Sequence, residues 1–418
     1  MHDFKYKSGE LYCENVKVSS IAEKVGTPFY LYSYKTLVDH FNKIQKAFKE
    51  IDALVCFAMK CNDNMAVVKS LVDQGAGCDI VSVGELKKAL KVNADPQKIV
   101  FASVGKTEEE ITAALKAGIL FFNVESLPEL EEINRISEKV HIKTQATLRI
   151  NPDVKAVTND RIATGTLDKK FGIDLENTRK ILKRQKDFPN VKINGLHMHI
   201  GSQILSVKPY IFALKIINEF LKEIKKDGIK LEYLDIGGGI GINYKGNEAN
   251  TVQKFADAIM PQLKKTGLKI IFEPGRFIAG NAGIFVTKVV YFKDNGVKKF
   301  IIVDAGMNDF MRPSLYNAYH EIIPLKKTSS KKVKVDVVGP ICESGDFFAK
   351  DRMLPKLNKD DLIAIMGAGA YGYVMASNYN VRGRPAEVMV KGSIFETVKT
   401  RETFNDLTRG ETIPGFIK

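Results

Sequence analysis

Several residues that could do chemistry stand where an apolar run of the sequence ends. Lys60 ends the run Ala53–Lys60, His197-Met198-His199 ends another, and Glu273 precedes Pro274-Gly275-Arg276. Gly237-Gly238-Gly239 follows a further run. A lysine in an apolar surrounding can lose its proton and form a Schiff base, and glycine turns let backbone N–H groups approach a phosphate. The sequence therefore offers an imine-forming amine, phosphate-compatible turns and an acidic group.

Each of these residues also has a simpler interpretation. Lys60 could be a lysine at a helix start that reaches solvent. The H-x-H spacing puts His197 and His199 on one face of a strand. A metal site with Asp235 and Glu273 as further ligands is one alternative, but such a histidine pair is more often structural, and we predict no metal site. The glycine run matches neither the Walker A spacing nor a complete G-x-G-x-x-G, so alone it is a weak signal.

Short β-rich runs alternate with amphipathic helical stretches through the first two-thirds of the chain. Eight such runs, each buried on both faces and separated by helices, favour an α/β fold with a closed parallel (β/α)8 barrel, a TIM-like barrel, over an open sheet. Active sites of such barrels form at the carboxyl ends of the strands, and the loops after strands seven and eight often bind phosphate. We expect a long functional loop at Asp153–Glu176. The predicted strands are Ala53–Lys60, Cys78–Ser82, Ile99–Ser103, Phe121–Val124, Ala146–Pro152, Ile193–Ile200, Leu231–Gly237 and Lys269–Gly275.

From about Gly280 the pattern changes to period-two alternation, which predicts a mostly antiparallel β-domain. The N-terminal stretch Leu11–Val18 is expected to join it. We therefore predict a barrel at residues 30–278 and a β-domain at residues 1–29 and 279–418. The strands predicted for the β-domain are Ile284–Phe292, Phe300–Asp304, Lys332–Val338, Asp361–Met366 and Glu387–Phe395.

Composition excludes several classes of protein. The chain has 418 residues, of which 44% are hydrophobic and 27% charged, which is typical of compact globular proteins and not of disordered ones. The net charge of +14 is spread along the chain, and pairs such as Lys225-Lys226 are too short for a polybasic tract, so we expect neither a nucleic-acid partner nor a membrane partner. Five cysteines without a C-x-x-C pair, and no signal-peptide run, predict a reducing, cytoplasmic location.

Pyridoxal phosphate is the cofactor that needs this combination of groups: a lysine for an imine, loops for one phosphate and an acid that keeps a ring nitrogen protonated. The sequence also contains eight ordered motifs between Thr27 and Arg384, namely FAMKCN, GAGCDIVSVGEL, HMHIGSQ, GGGIG, EPGR, MRPSLY, GPICESGD and GAGAYGY. With these motifs the chain resembles the barrel-type, fold type III pyridoxal-phosphate decarboxylases, whose architecture is that of alanine racemase. Within them it is most similar to the branch that converts meso-2,6-diaminopimelate to L-lysine and CO2, the last step of lysine biosynthesis.

The resemblance implies roles for individual residues. Lys60, His199, Glu273 and Cys342 would be catalytic: Lys60 forms the imine, His199 stacks on the pyridine ring, Glu273 pairs with the ring nitrogen, and Cys342 returns a proton to the substrate carbon. Asp79 and Arg149 would support them. In relatives, Cys342 and Glu343 come from the neighbouring subunit of a homodimer. The implied cofactor contacts are Lys60, His199, Ser202, Gly238, Gly239, Glu273, Pro274, Gly275, Arg276 and Tyr371. The implied substrate contacts are Arg276, Arg312, Tyr316, Glu343 and Tyr371.

Other activities on the same architecture remain open at this point. Decarboxylases acting on ornithine, arginine or carboxynorspermidine share the cofactor residues, but they usually carry aspartate after the cysteine, where this sequence has Glu343. Arg312 and Tyr316 favour a substrate with a distal carboxylate. Racemases usually present arginine to the ring nitrogen, which Glu273 argues against. A catalytically inert regulatory homologue is a further alternative, although such proteins tend to lose the cofactor residues that are kept here.

Overall fold

The computed structural model describes residues 2–154, 170–245 and 252–417 of the chain. These residues divide into two compact units. One unit comprises Met1–Thr36, Tyr244–Asn247 and Ala279–Lys418, and the other comprises Leu37–Asn243 and Glu248–Ile278. Most of the loop predicted at Asp153–Glu176 lies outside the described residues. No helix in the described ranges is long and apolar enough to span a membrane.

The first 36 residues belong to the unit that also contains the C-terminal part of the chain. Strands β1 to β3 form a small antiparallel sheet of their own, whose buried residues Phe4, Leu11 and Cys13 pack in one apolar cluster with residues such as Leu325. The elements of this stretch are β1 (Phe4–Lys7), β2 (Glu10–Cys13), β3 (Val16–Lys17), α1 (Val18–Val25) and β4 (Phe29–Ser33).

Eight parallel strands close the second unit into a barrel, in the order β10-β11-β12-β5-β6-β7-β8-β9. Several strands, such as β8, are buried at every residue, as expected for parallel strands that are covered on both faces. This confirms the predicted barrel. The barrel strands are β5 (Ala53–Ala58), β6 (Gly77–Ile80), β7 (Ile99–Phe101), β8 (Phe121–Val124), β9 (Thr144–Arg149), β10 (Val191–His197), β11 (Tyr233–Asp235) and β12 (Lys269–Phe272).

Local sequence signals start and stop the helices between these strands. Ser82 and Ser126 each accept a hydrogen bond from the third residue of the helix that follows, and Thr107 forms a reciprocal capping box with Glu110. Gly118 ends one helix in the left-handed conformation, at φ 67°. The helices are α2 (Tyr34–Ala47), α3 (Met65–Val72), α4 (Val83–Lys91), α5 (Glu108–Ala117), α6 (Leu127–Val140), α7 (Leu175–Lys183), α8 (Lys208–Lys226), α9 (Val252–Thr266) and α10 (Arg276–Ala279).

The C-terminal part of the chain forms a mostly antiparallel sheet, as predicted, in the order β17-β16-β14-β13-β4-β19-β20 with β18 and β15 paired beside β13. The pairs β14–β16 and β4–β19 are parallel. Its elements are β13 (Gly283–Asp294), β14 (Lys299–Val303), α11 (Arg312–Tyr316), β15 (Ile322–Pro324), β16 (Lys332–Val338), β17 (Phe347–Pro355), β18 (Leu362–Ile365), β19 (Ala386–Lys391), β20 (Ile394–Lys399) and α12 (Phe404–Leu407).

The structure departs from the sequence expectations at several strands. The run Glu387–Phe395 is not one strand, because Gly392 turns at φ +63° and separates β19 from β20. The stretch Leu11–Val18 lies in the same unit as the C-terminal strands, where β2 and β3 belong to a small sheet of their own. Residues 30–33, at the start of the range expected for the barrel, belong to β4 and pair with β13 and β19. The buried residues of β4 resemble those of a barrel strand, so only the pairing distinguishes the two.

Candidate active site

The amine of Lys60 is held by a buried carboxyl group. Lys60 lies in the 3-10 turn Met59–Cys61 directly after β5, and Asp79 lies on β6 in register with Ala58. Lys60 Nζ donates a hydrogen bond to Asp79 Oδ2 at 2.9 Å. Burial, and then the charge of Glu273, raise the pKa of Asp79 to about 7, while the charge of Lys60 opposes this rise. Asp79 therefore orients the lysine amine at the carboxyl ends of the strands.

The glycine run after β11 makes close backbone contacts that a side chain would prevent. A Cβ atom on Gly238 would collide with the carbonyl oxygen of Glu273, and one on Gly239, at φ +94°, would collide with that of Gly201. The Gly238 N–H donates to His199 Nδ1 at 3.2 Å, and Tyr210 donates its hydroxyl to the Gly238 carbonyl oxygen at 2.6 Å. The absence of side chains thus lets this turn approach the turns after β10 and β12.

Arg276 lies beside this turn, at the start of α10. Its Nη2 donates to Ser202 Oγ at 3.2 Å, and only 6% of the arginine is exposed. A Cβ atom on Gly275 would come within 3.0 Å of Cys61 Sγ, so the turn after β12 packs closely against the residue that follows Lys60. Ser202, Gly275 and Arg276 therefore meet at the same end of the barrel.

Glu273 belongs to a buried network with Asp235. Asn123 on β8 donates through Nδ2 to Glu273 Oε1 at 3.0 Å and to Asp235 Oδ2 at 3.2 Å. The Thr147 hydroxyl donates to Asn123 Oδ1, which fixes the orientation of the amide. His197 Nε2 lies 3.5 Å from Glu273 Oε2. All five side chains are buried, so this network fixes the Glu273 carboxylate with little freedom to rotate.

The two carboxyl groups of this network divide into one neutral and one charged group. Burial, and then the charge of Glu273, raise the pKa of Asp235 well above its usual value. Burial acts in the same direction on Glu273, but the electrostatic interaction and hydrogen bond with His197, together with the positive charge of Lys60, outweigh it and hold the pKa of Glu273 below its usual value. The proton of the pair therefore sits on Asp235, and Glu273 is the anion.

The same residues could in principle hold a metal. His197, Asp235 and Glu273 each offer a ligand atom, and these atoms lie within 4.8 Å of one another. However, the Asn123 amide donates to both carboxyl groups and so occupies lone pairs that a metal would use. A neutral Asp235 is also a poor ligand, because a metal binds the carboxylate. The arrangement suits a shared proton better than a cation.

Arg149 forms a second ion pair at the carboxyl ends of the strands. Its Nη1 donates to Glu125 Oε1 at 2.5 Å, and its guanidinium carbon lies 4.7 Å from the centre of the Phe171 ring. Glu125 Oε2 accepts from the Gly172 N–H at 2.9 Å. Arg149 and Glu125 thus anchor the chain at Phe171-Gly172 beside the carboxyl end of β9, and not at the barrel floor where Arg149 was expected.

In the other unit, Arg312 is buried among aromatic rings. It begins α11, and only 5% of it is exposed. Its guanidinium carbon lies 5.5 Å from the centre of the Tyr244 ring and 5.8 Å from that of Tyr316. Its Nε donates to His320 Nε2 at 3.3 Å. The structure therefore brings Arg312 and Tyr316 together and adds two residues, Tyr244 and His320, that sequence reasoning did not select.

Cys342 and Glu343 lie in the loop between β16 and β17, and both are exposed. Cys342 therefore does not belong to the apolar core of the single chain, unlike the four buried cysteines. The buried Asp346 carboxylate shapes this loop, because it accepts the N–H groups of Ile341 and Met307, each at 2.7 Å. Ser314 on α11 donates to the Gly345 carbonyl oxygen at 2.6 Å and so ties the loop to the helix that carries Arg312.

Tyr371 ends a glycine turn that follows β18. Its backbone is left-handed, at φ 56°, which is strained for a tyrosine. The turn before it is fixed by backbone bonds from Ala368 to Gly283 at 2.8 Å and from Gly369 to Gly280 at 3.0 Å. Side chains at Gly283 or Gly369 would block this approach. The GAGAYGY motif thus serves to hold Tyr371 in one position.

Comparisons with known proteins decide the family. The family described as "Pyridoxal-dependent decarboxylase, pyridoxal binding domain" matches residues 34–280. A diaminopimelate decarboxylase of Aquifex aeolicus (strain VF5) is 46% identical over 402 residues, which are 96% of this chain and 95% of that protein. The chain belongs to the diaminopimelate decarboxylase family. It is a pyridoxal-phosphate-dependent amino-acid decarboxylase, a carbon–carbon lyase, and the resemblance that the motifs indicated is confirmed.

Solved structures of family members agree with this assignment. The diaminopimelate decarboxylase of M. jannaschii in co-complex with L-lysine has a TM-score of 0.95 and 37% sequence identity, with 99% of both chains covered. That of Helicobacter pylori complexed with L-lysine has a TM-score of 0.90 and 40% identity, covering 94% of this chain and 98% of that one. The barrel together with the antiparallel domain is therefore the family's architecture.

The residues at the barrel end fit pyridoxal phosphate. Lys60 offers an amine held by Asp79, and Glu273 offers a buried anion with which a protonated ring nitrogen could pair. The cradle between Gly238 and Gly239 has no room for side chains, and Arg276 with Ser202 adds a cation and a hydroxyl beside it, as a phosphate requires. The donor set of the decarboxylase thus matches the three polar parts of the cofactor.

Sequence reasoning missed several residues of the decarboxylase site. Asn123 and Thr147 organise Glu273, Tyr210 supports the glycine turn, and Asp346 supports the Cys342 loop. The signal for Asn123 was a single polar residue inside the apolar run Phe121–Val124. Asp346 ends the quoted motif GPICESGD, but nothing in that motif tells which backbone groups its carboxylate accepts.

Proposed function

We propose that the enzyme removes CO2 from meso-2,6-diaminopimelate to give L-lysine, the last step of lysine biosynthesis, and that it acts at the centre of D configuration. The observation that carries this proposal is the buried Arg312, which lies among aromatic rings and has Tyr316 beside it. A guanidinium suits a carboxylate in bidentate geometry. The names of its full-length relatives support the same substrate.

The proposed division of labour starts at the barrel. Lys60 forms the covalent link to the cofactor, and the cofactor when bound supplies an electron sink for the pair of electrons that remains when CO2 leaves. Glu273 keeps a proton on the ring nitrogen, since it is the anionic member of its pair. His199 packs against the ring, and Ser202, Gly238, Gly239, Pro274, Gly275, Arg276 and Tyr371 bind the cofactor around it.

The remaining residues act on the substrate. Cys342 gives its thiol proton to the carbon that lost CO2, which completes the exchange of a carboxylate for a hydrogen. Glu343 pairs with the distal ammonium, while Arg276, Arg312 and Tyr316 take the distal carboxylate, with Tyr371 nearby. A cationic clamp that stays empty with the wrong substrate costs binding energy, so both distal charges contribute to specificity.

We also propose that the enzyme is a cytoplasmic homodimer in which Cys342 and Glu343 serve the active site of the partner subunit. The exposure of both residues on the single chain supports this assignment. All five cysteines are free thiols, which supports a reducing compartment.

The test of the substrate is CO2 release from meso-diaminopimelate, ornithine and arginine at equal concentration. We expect meso-diaminopimelate to react far faster than the other two. Arg312→Leu should lower kcat/KM for meso-diaminopimelate by roughly 100-fold, since a charge-assisted contact is lost, and should affect ornithine much less. A wild type that prefers ornithine or arginine would instead place the enzyme in polyamine formation.

A further inference from the structure

His320 is a buried histidine with a different partner at each ring nitrogen. It is 0% exposed and lies just before β15, whose pairing with β18 brings it close to the backbone of Met366. Its Nδ1 lies 2.8 Å from the Met366 carbonyl oxygen, and its Nε2 lies 3.3 Å from Arg312 Nε. The ring is flanked by the edges of two aromatic rings, Phe310 at 4.7 Å and Tyr244 at 4.9 Å between centres. Packing and both hydrogen bonds therefore fix its orientation.

The two hydrogen-bond partners of His320 determine which ring nitrogen carries the proton. A carbonyl oxygen can only accept, so Nδ1 must carry the proton. An arginine Nε–H can only donate, so Nε2 must be the acceptor. His320 is thus a neutral imidazole with its proton on Nδ1, and the Met366 carbonyl selects this tautomer.

This tautomer fixes the direction of the Arg312 guanidinium. Because His320 takes the Nε–H, the edge formed by Nη1 and Nη2 faces away from the histidine, and this edge matches a carboxylate in bidentate geometry. The Tyr244 hydroxyl lies 3.4 Å from Nη2. His320 and Tyr244 are both uncharged, so neither of them cancels the positive charge of Arg312, as a glutamate or aspartate at position 320 would.

We propose that His320 is a positioning residue for substrate specificity: as a neutral acceptor it aims Arg312 at the distal carboxylate and does not itself neutralise the guanidinium charge. This inference rests on the proposed function of Arg312. His320 itself does not touch the substrate and acts through the arginine alone.

Two matched substitutions of His320 can distinguish a role in positioning Arg312 from a role in supporting the fold. The Oε1 of His320→Gln can replace Nε2 as the acceptor for Arg312 Nε, while the bond to Met366 is lost. The Nδ2 of His320→Asn can replace Nδ1 as the donor to Met366, but the shorter side chain cannot reach Arg312. Each variant keeps one of the two hydrogen bonds, so we expect similar melting temperatures.

We expect the variants to differ in specificity. With the enzyme loaded with cofactor, His320→Asn should raise KM for meso-diaminopimelate about tenfold or more and change kcat less, while kcat/KM for ornithine changes little. Its preference for diaminopimelate should approach that of Arg312→Leu. His320→Gln should retain most of the wild-type preference. Calorimetric binding of pimelate, a dicarboxylate without amino groups, should weaken by a similar factor in the Asn variant only.

Equal preference and equal pimelate affinity in the two variants, at equal melting temperature, would show that His320 only supports the fold and would overturn the inference. If the wild type preferred ornithine, the proposed function would fail first. The pimelate measurement then still judges His320, because it reports on the cationic clamp without any turnover.

Discussion

Asn123 joins two buried carboxyl groups that share one proton. Because its amide donates to Glu273 and to Asp235, the two acids are held close together, and like charges at that distance do not both ionise in a buried site. Burial raises the pKa of Asp235, whereas the interaction with His197 and the charge of Lys60 lower that of Glu273. Replacing the charged Glu273 by a neutral amide should therefore reduce activity more than replacing the neutral Asp235, although both residues are buried in one network.

We expect Glu273→Gln to retain bound cofactor and to slow decarboxylation by roughly two to three orders of magnitude, because one preorganised charge is lost. Asp235→Asn is the matched control. It replaces a neutral carboxyl by a neutral amide that can still donate toward Glu273, so its loss should be tenfold or less. Single-turnover CO2 release, with the visible cofactor absorbance recorded for each variant, measures both. Equal losses in the two variants would contradict the assignment of the proton to Asp235.

The loop that carries Cys342 is held by the carboxylate of Asp346, which lies at the end of that loop. Asp346 accepts two backbone N–H groups, one from inside the loop and one from Met307, and Ser314 ties the same loop to α11. If Cys342 acts as proposed, the loop itself must hold it in place, because the cysteine is exposed on the single chain. The position of the Cys342 thiol therefore depends on the hydrogen bonds of the whole loop and not on the cysteine alone.

Asp346→Asn should loosen this loop. An amide can accept only one of the two N–H groups and turns its own donor toward the other, which costs about 1–3 kcal/mol. We expect a lower melting temperature, slower turnover and a changed rate of Cys342 modification by a thiol reagent, which the four buried cysteines do not obscure. Asp360→Asn, on an exposed aspartate, serves as the control. Unchanged modification rate and turnover in Asp346→Asn would exclude the supporting role.

The barrel could be predicted from the sequence because its strands are mostly buried and give short runs rich in apolar residues between amphipathic helices. The first barrel strand was predicted to end further along the chain than it does. It was expected at Ala53–Lys60 but ends at Ala58. The error arises because the 3-10 turn that contains Lys60 continues the apolar pattern through Met59 and Cys61. The contact of His320 with Arg312 could not be predicted, because it arises from the pairing of β15 with β18. Period-two alternation also cannot distinguish one strand from two when only Gly392 marks the turn.

At the scale of the whole molecule, the proposed homodimer makes a prediction that a single chain cannot satisfy. Lys60→Ala and Cys342→Ala should each be inactive alone. If each site combines Lys60 of one subunit with Cys342 of the other, a mixed dimer contains one intact site and one doubly altered site. Random exchange of equal amounts should then restore about a quarter of the wild-type activity, because about half of the dimers are mixed. Mass spectrometry of the mixture verifies the exchange. No recovery despite exchange would mean that each site is built within one chain, and the exposure of Cys342 would then need another cause.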